Sequence, residues 1–164
     1  LFGDVADGVM RLNQMGHIVR QCWLAIPDHV PPVLLDEFVV MPNHVHGIIV
    51  LVSTDTVGAT HASPPQHASP LQNDDTPTRP RGPQRQSVGS IVGSFKSAAT
   101  KRINEHRGTP GAPVWQRDYF EHIIRNDESL NRICEYILNN PLQWDLDREN
   151  PLAQGAKPED SWAS

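Results

Sequence analysis

VLLDEFVVMPNHVHGIIVLV (33–52) holds two runs dense in β-branched and other apolar residues, 33–41 and 44–52, divided by Pro42-Asn43. Runs of this length and composition predict strands, and a connection this short excludes a crossover. The stretch therefore predicts an antiparallel hairpin. His44 and His46 open its second strand. On a strand, residues i and i+2 share a face with Cα atoms about 6–7 Å apart. Both imidazoles then project together, suited to two ligands on one divalent ion, while Val45 points to the opposite, packed face. An isolated His-x-His is more often a pair of surface histidines, but this pair begins an otherwise apolar strand.

Outward from the hairpin, residues 53–86 change character. HASPPQHASP (61–70) and NDDTPTRPRGPQRQ (73–86) are rich in proline and polar residues and predict a disordered linker. Such an insertion inside one domain is tolerable because loop entropy grows slowly with length. Beyond it, Val88, Ile91, Val92, Phe95, Ala98, Ala99 and Ile103 recur at helical spacing, with Gly108 and Pro110 as the stop. VWQRDYFEHII (114–124) alternates like a strand. Asn126 caps a predicted helix over 127–140, with acids in its first turn and Pro141 after it. On the N-terminal side, a small turn at Asp7-Gly8 precedes a helix capped by Asn13 and ended by Pro27. Segregated strands and helices predict an α+β sheet domain. It spans 1–145, interrupted at 53–86, and is followed by an acidic tail over 146–164.

At 164 residues the chain has room for one domain, and no run approaches the ~20 apolar residues of a membrane span. Cys22 and Cys134 make neither a disulfide framework nor a zinc ribbon, and LFGDVADG lacks the basic flank of a secretory signal. A cytoplasmic setting is expected. The net charge of -5 is unevenly divided: -3 over 1–52, -3 over 53–78, +6 over 79–125 and -5 over 126–164. A basic middle third in an acidic protein points to a polyanion as well as to an ordinary solvated helix.

Tyr136 and Asn140 are a second candidate pair, one turn apart on one helical face. Asn140 also suits a helix C-cap, and Tyr136 sits among Leu130, Ile133 and Ile137, which could form a core stripe. His122, near Arg125, could touch phosphate or lie on the surface. The start HVHGIIV is similar to that of a histidine-triad nucleotide hydrolase, but Ile48 occupies the place of the third histidine. Neither a GxxxxGK[ST] phosphate loop nor a GxSxG elbow is present.

MPNHVHGIIVL (41–51), SIVGSFKSAATKRIN (90–104), VWQRDYFEHIIRN (114–126) and YILNNP (136–141), in that order, resemble the REP-associated tyrosine transposases. These are single-tyrosine members of the HUH nuclease superfamily. The resemblance implies a ferredoxin-like or RRM-like antiparallel sheet with helices on one face. The family's N-terminal strand is missing before the LFG segment, which together with an opening Leu reads as a truncated or decayed copy. By matching motifs, His44 and His46 take the place of metal ligands, Asn140 that of a third ligand and Tyr136 that of the nucleophile.

The implied activity is that of a metal-dependent DNA endonuclease and strand transferase. Mg²⁺ or Mn²⁺ is the implied ion, and a 5′-phosphotyrosine the implied intermediate. The implied partner is single-stranded or hairpin DNA, in a nucleoid-associated setting and with a homodimer admissible. Lys96, Lys101, Arg102, Arg107, Arg117, His122 and Arg125 would meet phosphates, and Trp115 or Tyr119 would stack on bases unless Trp115 is core. The rival readings are a catalytically inactive DNA-binding protein of the same fold and a metallophosphodiesterase that uses the histidines with water as nucleophile.

Overall fold

A computed structural model of the chain describes residues 1–52, 87–116, 119–147 and 149–153. In chain order the elements are β1 (Gly3–Ala6), β2 (Val9–Leu12), α1 (Gln14–Leu24) and the single turn α2 (Ile26–His29). Then follow β3 (Val33–Val40), β4 (Val45–Leu51), α3 (Val88–Arg107), α4 (Asp127–Asn139) and a 3-10 helix (Asn140–Leu146). The protein is α+β, as predicted, but among the described residues the strands form two separate antiparallel hairpins, β1–β2 and β3–β4. The linker at 53–86, Arg117 and the tail from 154 onward lie outside the described residues.

Each predicted helix has the start its sequence encodes, but α1 ends at Leu24, and Pro27 does not end it: it sits in the first turn of α2. The Asn13 side chain accepts from the backbone N–H groups of Met15 and Gly16, satisfying two otherwise unpaired donors of α1. Ser87 accepts from Ser90 N–H at the start of α3, and Gly108 ends that helix at φ 66°, where a side chain would be strained. Asn126 accepts from Ser129 N–H and caps α4. Asp7 (φ 54°) and Gly8 (φ 70°) form the two-residue turn that joins β1 to β2. That turn was legible; the four-residue strands beside it were not.

The β3–β4 register pairs Val40 with Val45, Val39 with His46, Phe38 with Gly47 and Leu35 with Ile49, with an irregularity between Leu35 and Phe38. Val45, Gly47 and Ile49 therefore face one way, and His46 and Ile48 the other. The first face meets α1 and α3. A Cβ on Gly47 would run into the Trp23 indole, so glycine is what lets α1 approach this closely. Trp23 stacks on Phe38 with ring centroids 5.8 Å apart and meets Phe95 of α3 edge-on at 5.3 Å. Ile18, Val19, Cys22, Ile91, Ala99 and Ile103 complete this core.

The opposite face is covered by α4, which packs along β3 and brings Tyr136 to His46. Helices thus lie on both faces of the hairpin, correcting the one-sided arrangement that the resemblance implied. The physical reason is in the strands: each face carries apolar residues to bury, with Ile48 as hidden as Val40.

Two further expectations are corrected. Among the described residues of 114–124 no strand forms. Trp115 instead packs against the core, and Tyr119, Phe120 and Ile123 are exposed in a segment outside any strand. Pro141 does not end ordered structure either. Proline suits the first turn of a helix because it has no N–H to leave unpaired, and here it sits at the start of the 3-10 helix.

Candidate metal and nucleophile site

The turn between β3 and β4 closes with Met41 N–H donating to His44 carbonyl oxygen at 2.9 Å, which leaves Pro42-Asn43 as its tip. Asn43 then fixes the chemistry of its neighbour. Its amide Nδ2 donates to the Glu149 carbonyl at 2.6 Å. A carbonyl can only accept, so the amide oxygen must face His44 Nδ1, 2.8 Å away. That oxygen is an acceptor, so Nδ1 is the donor and carries the His44 proton. Nε2 is left with a lone pair.

His44 Nε2 lies 2.9 Å from His46 Nε2. Two nitrogens bound to one ion at about 2.1 Å and at a right angle would be about 3.0 Å apart, so the separation suits a shared cation. Without one, a His46 Nε2–H donating to His44 Nε2 fits the same distance. Burial lowers both histidines' pKa values. For His44 it prevails over Asp147 and Glu149, which raise the value. For His46, burial and then the neighbouring His44 push it down to about 4, against Asp147. Both rings are thus neutral at pH 7 and have no proton to lose before binding a metal. For the same reason the 4.0 Å approach of Asp147 Oδ2 to His44 Nε2 is not an ion pair.

Tyr136, half-buried on α4, sets its ring at 80° and 5.3 Å from the His46 imidazole. Asn140 follows one helical turn later. It is 3% exposed, and its Oδ1 has no hydrogen-bond partner. An orphaned buried amide oxygen ordinarily costs about 1–3 kcal/mol, which a ligand would relieve. Neutral imidazoles and a carbonyl-type oxygen are donor types suited to a divalent cation, so the chemistry of these residues fits the implied ion. Among the described residues no group of three His, Cys, Asp or Glu side chains could hold a metal ion. The third donor of the implied set is an amide and falls outside that pattern.

Sequence reading missed several members of the site. Trp144 stands 6.0 Å from His44 by ring centroids, and the turn at Asp147–Asn150 packs beside it. These residues fall at the boundary expected at 145 or just beyond it. Asn43 was legible only as a turn residue, although an Asn beside a ligand-type His can orient its ring.

Four of the implied DNA-contacting residues lie on the helix that packs against α1. Lys96, Lys101, Arg102 and Arg107 belong to α3, on the α1 side of the hairpin. Arg102 is engaged there, donating to Gln21 at 2.7 Å and to Cys22 Sγ at 3.5 Å, while Lys101 pairs with Glu105 at 4.0 Å. Lys96 reaches the Gln116 carbonyl and the Tyr119 ring, and Arg107 has buried Nε and Nη2 atoms. Trp115 is partly buried against the core: its ring packs 5.2 Å from Phe2 and 5.5 Å from Phe95, and its N–H donates to Lys96 carbonyl oxygen. His122 and Arg125 are exposed in the segment that leads into α4.

No helix among the described residues is long and apolar enough to cross a membrane. No family model and no solved structure matches the chain. It is 41% identical over 148 residues to an uncharacterized protein of Haemophilus influenzae, a match spanning 90% of this chain and 76% of the relative.

Proposed function

This chain and the Haemophilus influenzae protein belong to one family, and for this member we propose metal-dependent cleavage and strand transfer of single-stranded or hairpin DNA through Tyr136. The observation that carries the reading is the edge-on placement of Tyr136 against His46, whose partner His44 presents an unprotonated Nε2 2.9 Å from the His46 Nε2. A phenol beside paired neutral imidazoles is the combination that phosphodiester transesterification needs.

His44, His46 and Asn140 would hold Mg²⁺ or Mn²⁺, which supplies Lewis-acid polarisation of a non-bridging phosphate oxygen. The Tyr136 hydroxyl gives up its proton to water as its oxygen bonds to phosphorus. The phosphorus–O3′ bond breaks, and the departing 3′ oxygen takes a proton. The product is a 5′-phosphotyrosine that keeps the ester available for rejoining. His122 and Arg125, exposed where the chain enters α4, are the nearest of the proposed phosphate contacts to Tyr136 in sequence. A β hairpin carrying a histidine pair, faced by a helix carrying tyrosine, supports the HUH-type, ferredoxin-like reading of the fold.

The test is incubation of 3′-labelled hairpin oligonucleotides with the protein and Mn²⁺, followed by a denaturing gel. The expected result is a protein–DNA band lost in Tyr136→Phe and in chelator. Cleavage that survives Tyr136→Phe would make water the nucleophile. Binding with neither cleavage nor adduct would make the protein a non-catalytic DNA binder.

A further inference from the structure

His44, His46 and Asn140 are all neutral donors. A hard dication such as Mg²⁺ is ordinarily held through at least one carboxylate. Asp147 brings a carboxylate charge beside the histidines. Its side chain is 12% exposed, and Oδ2 stands 4.0 Å from His44 Nε2. The other oxygen, Oδ1, accepts from the Glu149 backbone N–H at 2.8 Å, which fixes how the carboxylate is turned.

The backbone that carries it is equally fixed. Asp147 N–H donates to Trp144 carbonyl oxygen at 3.1 Å, and Asn150 N–H to Asp147 carbonyl oxygen at 3.0 Å. The buried Asn150 side chain bonds Trp144 carbonyl oxygen at 2.9 Å, and Asn43 grips the Glu149 carbonyl. Because the His44 proton is on Nδ1, His44 Nε2 and Asp147 Oδ2 approach to 4.0 Å as two lone-pair groups with no hydrogen bond between them. Electrostatics favours a cation there.

We propose that Asp147 supplies the negative charge of this metal site and biases it toward Mn²⁺ and Mg²⁺, away from the softer ions that imidazoles alone favour. The inference rests on the metal-site reading above. Asp147 is a positioning residue. Its Oδ2 lies 4.0 Å from His44 Nε2, so it would act on the ion through its charge and is not a preformed third ligand.

The test is calorimetric titration of the full chain with Mn²⁺ and, separately, with Zn²⁺, for wild type, Asp147→Asn, His44→Ala and the exposed control Asp145→Asn. Asp147→Asn keeps an acceptor for Glu149 N–H, so its melting in chelator should match wild type. Its Mn²⁺ affinity should fall at least about tenfold, with a smaller loss for Zn²⁺ and none in Asp145→Asn. Should Asp147→Asn fail to fold, Asp147→Ser keeps a local acceptor and serves the same comparison. Mn²⁺ affinity unchanged in Asp147→Asn but abolished in His44→Ala would overturn this inference alone. Mn²⁺ affinity unchanged in His44→Ala would overturn the metal site itself, and this inference with it.

Discussion

The Asn43 amide donates to the Glu149 carbonyl at 2.6 Å, a bond that ties the hairpin turn to a residue 106 positions later. The same side chain receives the His44 Nδ1 proton, so one asparagine both anchors the C-terminal turn and selects the histidine tautomer. Replacing it by alanine removes both functions. Asn43→Ala should lose about 1–2 kcal/mol in urea unfolding and about 10- to 100-fold in Mn²⁺ affinity. A variant that loses stability but binds Mn²⁺ like wild type would show that the tautomer is set elsewhere.

Asn140 separates metal binding from packing. Its buried Oδ1 has no partner, so Asn140→Leu removes an unsatisfied oxygen and should be within about 1 kcal/mol of wild-type stability in chelator. With Mn²⁺ at a hundred times the wild-type Kd, wild type should gain about 2.7 kcal/mol and the variant much less. Equal gains in the two proteins would remove Asn140 from the donor set.

The histidines make stability depend on pH in a stated direction. His46 titrates near 4 in the folded chain against an ordinary 6.5, so between those values the unfolded chain binds a proton that the folded chain does not. Stability from this group is complete above pH 6.5 and falls as pH drops toward 4, by an amount on the order of 3 kcal/mol. Because carboxylates also titrate near the lower limit, the measurement is the difference in unfolding free energy between wild type and His46→Gln from pH 7 to pH 4. That difference should shift against wild type as pH falls. A constant difference would mean that His46 is not held neutral by burial.

Gly47 governs how closely α1 sits on β4. An added Cβ would meet the Trp23 indole and lie 3.0 Å from Phe38 Cβ. Gly47→Ala should therefore destabilise by about 1–3 kcal/mol, read by urea unfolding, with near-UV signals of Trp23 altered. Wild-type stability in Gly47→Ala would mean that Trp23 has another place to go.

The sequence disclosed those parts of the fold that are encoded locally. Asn13, Ser87 and Asn126 mark helix starts through their side-chain acceptors, Gly108 marks a stop, and 33–52 marks a hairpin by pattern alone. What it concealed depends on distant partners. The strands β1 and β2 are four residues each, too short for a period to register. The alternation in 114–124 resembles a strand, but alternation gives no ladder where no neighbouring strand lies alongside. Pro141 reads as a terminator from one side and as a helix start from the other, and only packing decides. The turn at Asp147–Asn150 reads as tail because nothing local shows that Glu149 would meet Asn43. The histidine pair was visible as a spacing; its tautomer and its neutral state were not.

The central claim is that the Tyr136 oxygen becomes bonded to DNA. It is tested most directly by digesting the Mn²⁺-dependent protein–DNA adduct with nuclease and protease and sequencing the modified peptide by mass spectrometry. The expected result is a nucleotide 5′-phosphate on the peptide that contains Tyr136, and on no other residue. A modification mapped to His44, His46 or a serine of α3, or DNA cleaved with no modified peptide at all, would contradict it.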